Sequence, residues 1–404
     1  MSSLQEEYFA CLALRYTPGL GPKSWGPILR HYPTAYEGLK DAANWPALKL
    51  ASEKRSESAQ KEEWRSKAEK EYREAMRLEF GVLPWTHPLF PDLLKELADP
   101  PTCLYYFGDP KLLSNPAVGI VGSRNSGRLG MEYAARLAAD LSRSGITVTS
   151  GFAKGIDSCA HEAALQGIGS TVAVLGTGLD YDSYPSDSGW LRKSVLESGL
   201  IISEFPPGTK PFARNFPFRN RLISGLSVGV VVVEAEIASG SLVTARLAGE
   251  QGRDVMAMPG PSGDKSFAGC LKLIKEGAAL VETADDVLMN IRHALDVDNF
   301  SGQKAVSGAE RKLPVKQSGK SSPSKNVRVT AEAESVAPAV DISALEPPES
   351  DIAKSLESGG KLHIDEIARA AGIDVSVAGA VILGMEVKGM VVRFPGMYYD
   401  LKRS

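Results

Sequence analysis

The chain has 404 residues, 43% of them hydrophobic, and a formal net charge of −3. At about 100–200 residues per domain it has room for about two to four domains and a sizeable core. The charge excludes a generally basic nucleic-acid coat, and Cys11, Cys103, Cys159 and Cys270, scattered without a C-x-x-C pair, exclude a zinc ribbon and a disulfide framework and fit a reducing cytoplasm.

Met1 to Arg15 carries acids and no basic start ahead of an apolar run, so no signal peptide is expected. No segment approaches the ~20 uninterrupted apolar residues of a membrane span. Residues Leu4 to about Phe80 read as helical, with Tyr8, Cys11, Leu12 and Leu14 on one stripe. Pro18-Gly19-Leu20-Gly21-Pro22-Lys23 separates this stripe from Trp25, Ile28 and Leu29, a helix, turn and helix of SAM or helix-hairpin-helix character. From Glu53 to Glu79 charges alternate in sign at helical spacing, which predicts an exposed, ion-paired helix.

From about Ala117 to Ile291, β-branched runs alternate with helical patterns. The predicted strands are Ala117–Val121, Thr147–Ser150, Thr171–Leu175, Leu200–Ser203, Gly229–Glu234 and Asp254–Met258. Several are apolar throughout, as in parallel strands covered on both faces. Helical patterns at Met131–Arg143, Ser158–Leu165, Gly189–Glu197 and Leu242–Glu250 lie between them. The expected fold class is α/β, a Rossmann-like, doubly wound, mostly parallel sheet. Ser301 to Pro348 is rich in Ser, Lys, Ala and Pro without an apolar period, and reads as a disordered linker with a basic first half. Asp351 to Lys402 offers three short helical patterns and a hairpin, a winged helix. The expected domains are therefore 1–80 (helical), 81–295 (extended Rossmann-like), 296–348 (linker) and 349–404 (winged helix).

In such a sheet ligands bind beyond the carboxyl ends of the strands. After the first predicted strand comes Gly122-Ser123-Arg124-Asn125-Ser126-Gly127-Arg128-Leu129-Gly130, a glycine-rich turn that lets backbone approach an anion at a helix N-terminus. It is neither a G-x-G-x-x-G nor a P-loop, so a phosphate site is expected without a nucleotide cofactor. The second strand delivers Lys154, Asp157 as a helix cap, and His161 as a packing histidine. The fifth delivers Glu234 and then Ser239-Gly240-Ser241, a second helix start suited to phosphate. Between them lies the segment Lys210 to Arg221, which includes Phe212, Arg214, Phe216, Phe218, Arg219, Asn220 and Arg221 and no Asp or Glu. It is expected to be a loop. Cations neutralise phosphates and aromatic rings stack on unpaired bases, so this mixture points to single-stranded nucleic acid.

These residues resemble the DNA-processing protein DprA (Smf) family. The likeness rests on Val121-Gly122-Ser123-Arg124, Gly151-x-Ala153-x-Gly155-Ile156-Asp157 with Ala160-His161, Ala173-Val174-Leu175-Gly176-x-Gly178 with Tyr184-Pro185, and Ser203-Glu204. Phe216-Pro217-x-Arg219-Asn220-Arg221-x-Ile223, Glu234-Ala235 with Ser239-Gly240-Ser241-Leu242-x-Thr244-Ala245, and Pro259-Gly260 complete it. The resemblance spans roughly Pro100 to Val287. It implies a non-catalytic, cytoplasmic protein without cofactor or metal. Such a protein protects incoming single-stranded DNA, loads RecA during natural transformation, and dimerises through the Rossmann-like domain. It implies DNA contacts at Gly122, Ser123, Arg124, Lys154, Arg214, Phe216 or Phe218, Arg219, Asn220, Arg221, Ser239, Gly240 and Ser241. The chain departs from the family at Leu271, where Asn is usual, and at Arg214-Asn215, where Lys-His is usual. The expected recognition helix, Val375 to Lys388, has Lys388 as its one cation, too little to read a major groove. The winged helix is therefore expected to be structural or to contact protein.

Two rivals come from other classes. A Rossmann-like phosphoribohydrolase of the LOG type would use acids such as Asp157, Asp180, Glu204 and Glu234, but the Pro-Gly-Gly-x-Gly-Thr-x-x-Glu motif of that class is replaced by Ala238-Ser239-Gly240-Ser241-Leu242. A winged-helix transcriptional regulator would need a more polar recognition helix.

Overall fold

The computed structural model describes residues 3–181, 189–295, 347–373, 377–378, 381–382, 385, 390–394 and 398–401. The expected linker, apart from Pro347 and Pro348, lies outside the described residues. So do Tyr184-Pro185 and most of the expected recognition helix. The chain divides into two compact units, Met1–Leu313 and Pro314–Ser404.

The first unit is built on one sheet. Its strands are β1 (Gly81–Pro84), β2 (Cys103–Gly108), β3 (Ala117–Val121), β4 (Thr147–Ser150), β5 (Thr171–Val174), β6 (Leu200–Ser203), β7 (Gly229–Val232), β8 (Asp254–Ala257) and β9 (Ala279–Leu280). Their order is β1-β2-β6-β5-β4-β3-β7-β8-β9. From β6 to β9 every neighbouring pair is parallel, while β1 and β2 add an antiparallel edge. Strands β3 to β7 are buried along their whole length, as their β-branched composition requires.

Helices cover both faces. Arg128–Arg143 turns Ala134, Leu137, Ala138 and Leu141 to the sheet, one stripe of a 3.6-residue period. It shares a core with Ile156–Ala164 and Ala284–Ile291, while Asn215–Leu226 and Ser241–Glu250 pack into a second core that also holds the N-terminal helices. The chain runs β3, β4, β5, β6 toward one edge, then returns to place β7 against the other side of β3. The gap beyond the carboxyl ends of β3 and β7 is the switch point at which such sheets hold ligands.

The N-terminal helices, beginning with Ser3–Tyr16 and Pro22–His31, join the sheet through buried polar contacts. Glu71 accepts hydrogen bonds from Arg15, Tyr16 and Tyr105, and the hydroxyls of Tyr8 and Tyr105 lie 2.9 Å apart. The helix expected over Glu53–Glu79 is two helices, Glu53–Gln60 and Arg65–Arg77, broken where Glu62 takes a positive φ of 54°. The outer faces carry the expected ion pairs, Glu57–Lys61, Glu62–Arg65 and Glu74–Arg77, but Ala68, Glu71 and Ala75 are buried.

The second unit contains helix Glu349–Gly359, β10 (Leu362–His363), helix Ile364–Ala371, β11 (Val391–Phe394) and β12 (Tyr398–Leu401). The strands are ordered β10-β12-β11, all antiparallel, over a core of Ile352, Leu356, Ile364, Ile367 and Val391. Helix Ile364–Ala371 starts in a capping box made by His363 and Glu366 and stops at Gly372, whose φ of 67° only glycine adopts freely.

Candidate nucleic-acid interface

A cleft of about 720 Å³ opens at the switch point. One wall is the turn after β3, Gly122 to Asn125, and the opposite wall is Glu236 to Thr244 after β7. Pro211, Ala213, Phe216, Pro217, Arg219 and Asn220 close a third side. The topology thus brings together Gly122, Ser123, Arg124, Phe216, Arg219, Asn220, Ser239, Gly240 and Ser241 from three separate stretches of sequence.

Arg124 is exposed, and its guanidinium carbon stands 5.4 Å from the centroid of the half-buried Phe216 ring. Gly155 sets this geometry. Its φ is 80°, and a Cβ there would lie 2.3 Å from the Ser123 carbonyl oxygen and 2.8 Å from that of Arg124. Only glycine lets the loop after β4 pass so close beneath the Arg124 turn.

Three amides of the turn after β3 are already partnered. The Ser123 N–H donates to the Glu234 carbonyl at 2.7 Å, the Asn125 N–H to the Ser123 hydroxyl, and the Gly127 N–H to both carboxylate oxygens of Glu234 at 3.1 Å. Glu234 thereby places an internal anion at the N-terminus of helix Arg128–Arg143, and burial pushes its carboxyl up. Within the expected phosphate turn Gly122–Gly130 those three donors are taken, and the turn also offers the exposed Arg124 side chain. Across the cleft, Gly240 caps helix Ser241–Glu250 without a side-chain bond, and the Ser239 and Ser241 hydroxyls are 2.8 Å apart.

The basic-aromatic segment is a loop only as far as Arg214. Asn215 to Leu226 is helical, and Pro217 falls in the first turn, where a missing N–H costs nothing. Helical periodicity turns part of the segment inward and corrects the expectation for two arginines. Arg219 is 3% exposed and donates to the carbonyls of Gly151 and Val174. Arg221 is also 3% exposed, with Nη2 2.5 Å from Glu204 and Nε 3.4 Å from Asp99. Neither guanidinium lies open to a phosphate. Burial raises the Glu204 carboxyl, and the Arg221 charge opposes that shift. Phe218 packs over Arg221 and against Phe205, outside the cleft lining. Lys154 and Arg214 are exposed beside cleft-lining Ala153 and Ala213, and Arg214 stands 5.3 Å from the Phe212 centroid.

The acids and the histidine near the strand ends serve the backbone. Asp157 does not cap its helix, which starts one residue earlier with Gly155 as cap. It folds back to accept from the Gly151 and Ala153 N–H groups, and burial raises its carboxyl against the opposing Arg219 charge. His161 is fully buried. Its Nε2 accepts from the Phe152 N–H and its Nδ1 faces the Thr171 hydroxyl at 2.7 Å, while desolvation first and Arg219 second lower its pKa to about 3.

A family model described as DNA recombination-mediator protein A matches residues 81–292. Protein Smf of Synechocystis sp. is 35% identical over 317 residues, 78% of this chain and 78% of its own.

The chain belongs to the DprA (Smf) family.

A model described as the DprA winged helix domain matches residues 336–397. DNA processing protein DprA of Streptococcus pneumoniae is 45% identical over 199 residues, 49% of this chain and 70% of that one. The X-ray structure of S. pneumoniae DprA aligns with a TM-score of 0.60 at 34% identity, covering 70% of this chain and 97% of that chain. The DprA fold thus accounts for the mostly parallel sheet and the winged helix. Among the described residues, no helix is long and apolar enough to cross a membrane. Glu236 lines the cleft and was not singled out in the sequence. It lies just past a strand end at the switch point, which is the signal that would have found it.

Proposed function

We propose that this DprA-family chain grips single-stranded DNA in the cleft between β3 and β7, without catalysing a reaction. The observation that carries this reading is the stacking of exposed Arg124 on Phe216 across the cleft from the helix start at Ser239–Ser241. A cation over an aromatic ring suits a ligand that alternates phosphates with bases. Arg124, Lys154 and Arg214 supply charge, Phe216 a stacking surface, and Gly122, Ser123, Asn220, Ser239, Gly240 and Ser241 the close-fitting polar walls. Arg219 and Arg221 belong to the scaffold beneath.

The binding reading is favoured over the enzyme reading because Asp157, Glu204, Glu234 and His161 each hold a structural partner. In the cell, the chain protects an incoming single strand in the cytoplasm and passes it to RecA during natural transformation. It acts as a homodimer through the Rossmann-like domain, where Leu280 on the outermost strand β9 is 51% exposed and Met289 on the next helix 78%. Apolar side chains at an open sheet edge suit a second copy.

The deciding experiment is fluorescence anisotropy with labelled oligo-dT against wild type and Arg124→Ala at several salt concentrations, with duplex as competitor. The expected result is tight binding of the single strand, weakened and less salt-dependent in the variant. Equal affinity in the two proteins overturns the reading.

A further inference from the structure

We infer that Asp180 is a positioning residue for the cationic rim of the cleft, an inference that rests on the single-strand reading above. The rim is the strap Pro206 to Arg214, which carries Lys210, Phe212 and Arg214 and lines the cleft with Pro211 and Ala213. It contains no regular secondary structure before Asn215, so its place depends on what holds it.

Three attachments hang it from the loop that leaves β5. The Asn215 side-chain amide donates to the Gly176 carbonyl at 3.1 Å and to the Lys210 carbonyl at 3.3 Å. The Gly178 N–H donates to the Thr209 carbonyl at 2.9 Å. The Gly208 N–H donates to both carboxylate oxygens of Asp180, at 2.9 and 2.8 Å. Gly208 has a φ of 76°, so its amide is aimed by a conformation that glycine adopts without strain. Gly178 is needed as well, since a Cβ there would sit 2.5 Å from the Asp180 carboxylate.

Asp180 is itself exposed and does not line the cleft, so it acts on the DNA only through the strap. A charged acceptor holding a backbone amide is the stronger kind of hydrogen bond. Removing it frees the turn at Gly208 while the two other attachments stay, and the cations must then be ordered at the moment of binding.

The test is a double-mutant cycle on the full chain with an oligo-dT of about 20 nucleotides. Asp180→Ala is expected to weaken binding about fivefold, chiefly through faster dissociation. Asp180→Asn, which keeps one acceptor oxygen, is expected to stay within about twofold of wild type. In a Lys210→Ala/Arg214→Ala background, Asp180→Ala is expected to change nothing further. Unchanged affinity for Asp180→Ala overturns the proposal. So does an equal loss in both backgrounds, which marks a merely structural role. If Lys210→Ala/Arg214→Ala binds like wild type while Arg124→Ala does not, the rim proposal fails and the cleft reading stands.

Discussion

The guanidinium of Arg124 lies over the ring of Phe216, although one follows strand β3 and the other opens the helix Asn215–Leu226. Nothing local joins them. The switch in strand order does, because it draws the turn after β3 toward the elements that follow β6 and β7. A second arginine, Arg219, has its guanidinium carbon 5.9 Å from the centroid of the same ring, but it is tied to carbonyls of the scaffold.

Arg124→Ala should weaken oligo-dT binding by about 1–3 kcal/mol and flatten the salt dependence by about one counterion. Its thermal midpoint should stay near that of wild type, since the side chain is exposed. Anisotropy titrations and thermal melts measure the two separately.

Arg221→Ala should do the reverse. It leaves the buried Glu204 carboxylate without its cation, a loss of about 3–5 kcal/mol of stability by analogy with other broken buried pairs. Arg221→Met, which keeps much of the volume, should suffer similarly while Glu204 stays charged. Urea unfolding decides; wild-type stability in Arg221→Ala would show that the pair is idle.

Gly155→Ala should act on the DNA contact from below. A methyl group would press on the carbonyls of Ser123 and Arg124 and strain the backbone at φ 80°. The expected outcome is about 1–3 kcal/mol of lost stability together with weaker oligo-dT binding. Binding and stability both unchanged would mean that the two loops part without cost.

His161 gives a pH dependence whose sign is fixed. Its pKa falls to about 3 in the folded chain, while an unfolded histidine titrates near ~6.5. Between those values the unfolded state binds more protons, so this contribution to stability is complete above the unfolded pKa and fades as pH falls toward the folded one. The slope is about 1.4 kcal/mol per pH unit. Asp157, Glu204 and Glu234 have raised pKa values and contribute with the opposite sign, so the histidine's share is read as the difference between wild type and His161→Gln. Parallel stability curves for the two proteins at pH 5 to 7 would contradict it.

A chain ending at residue 295 should bind oligo-dT within about threefold of the full protein, because every residue assigned to the cleft precedes that point. A severe loss would move part of the binding to the winged unit.

The parallel strands were legible because burial on both faces leaves uninterrupted β-branched runs, as in Ala117–Val121 and Gly229–Val232. The antiparallel edge was not: Cys103–Gly108 mixes Cys, two Tyr and Gly, and only its partner β6 makes it a strand. The turn residues of the cleft were legible because glycines and serines cluster after strands. The fate of Arg219 and Arg221 was not, because composition counts cations and cannot see that Gly151, Val174, Glu204 and Asp99 arrive from elsewhere to meet them. A proline and dense charge also disguised the first turn of helix Asn215–Leu226.

The carboxylate of Glu234, seated on the Gly127 amide, has a consequence for selectivity against metabolites. In many sheets of this shape that position welcomes the terminal phosphate of a soluble nucleotide. Here the Gly127 amide is already taken by the Glu234 carboxylate, so a mononucleotide phosphate would not find that donor free.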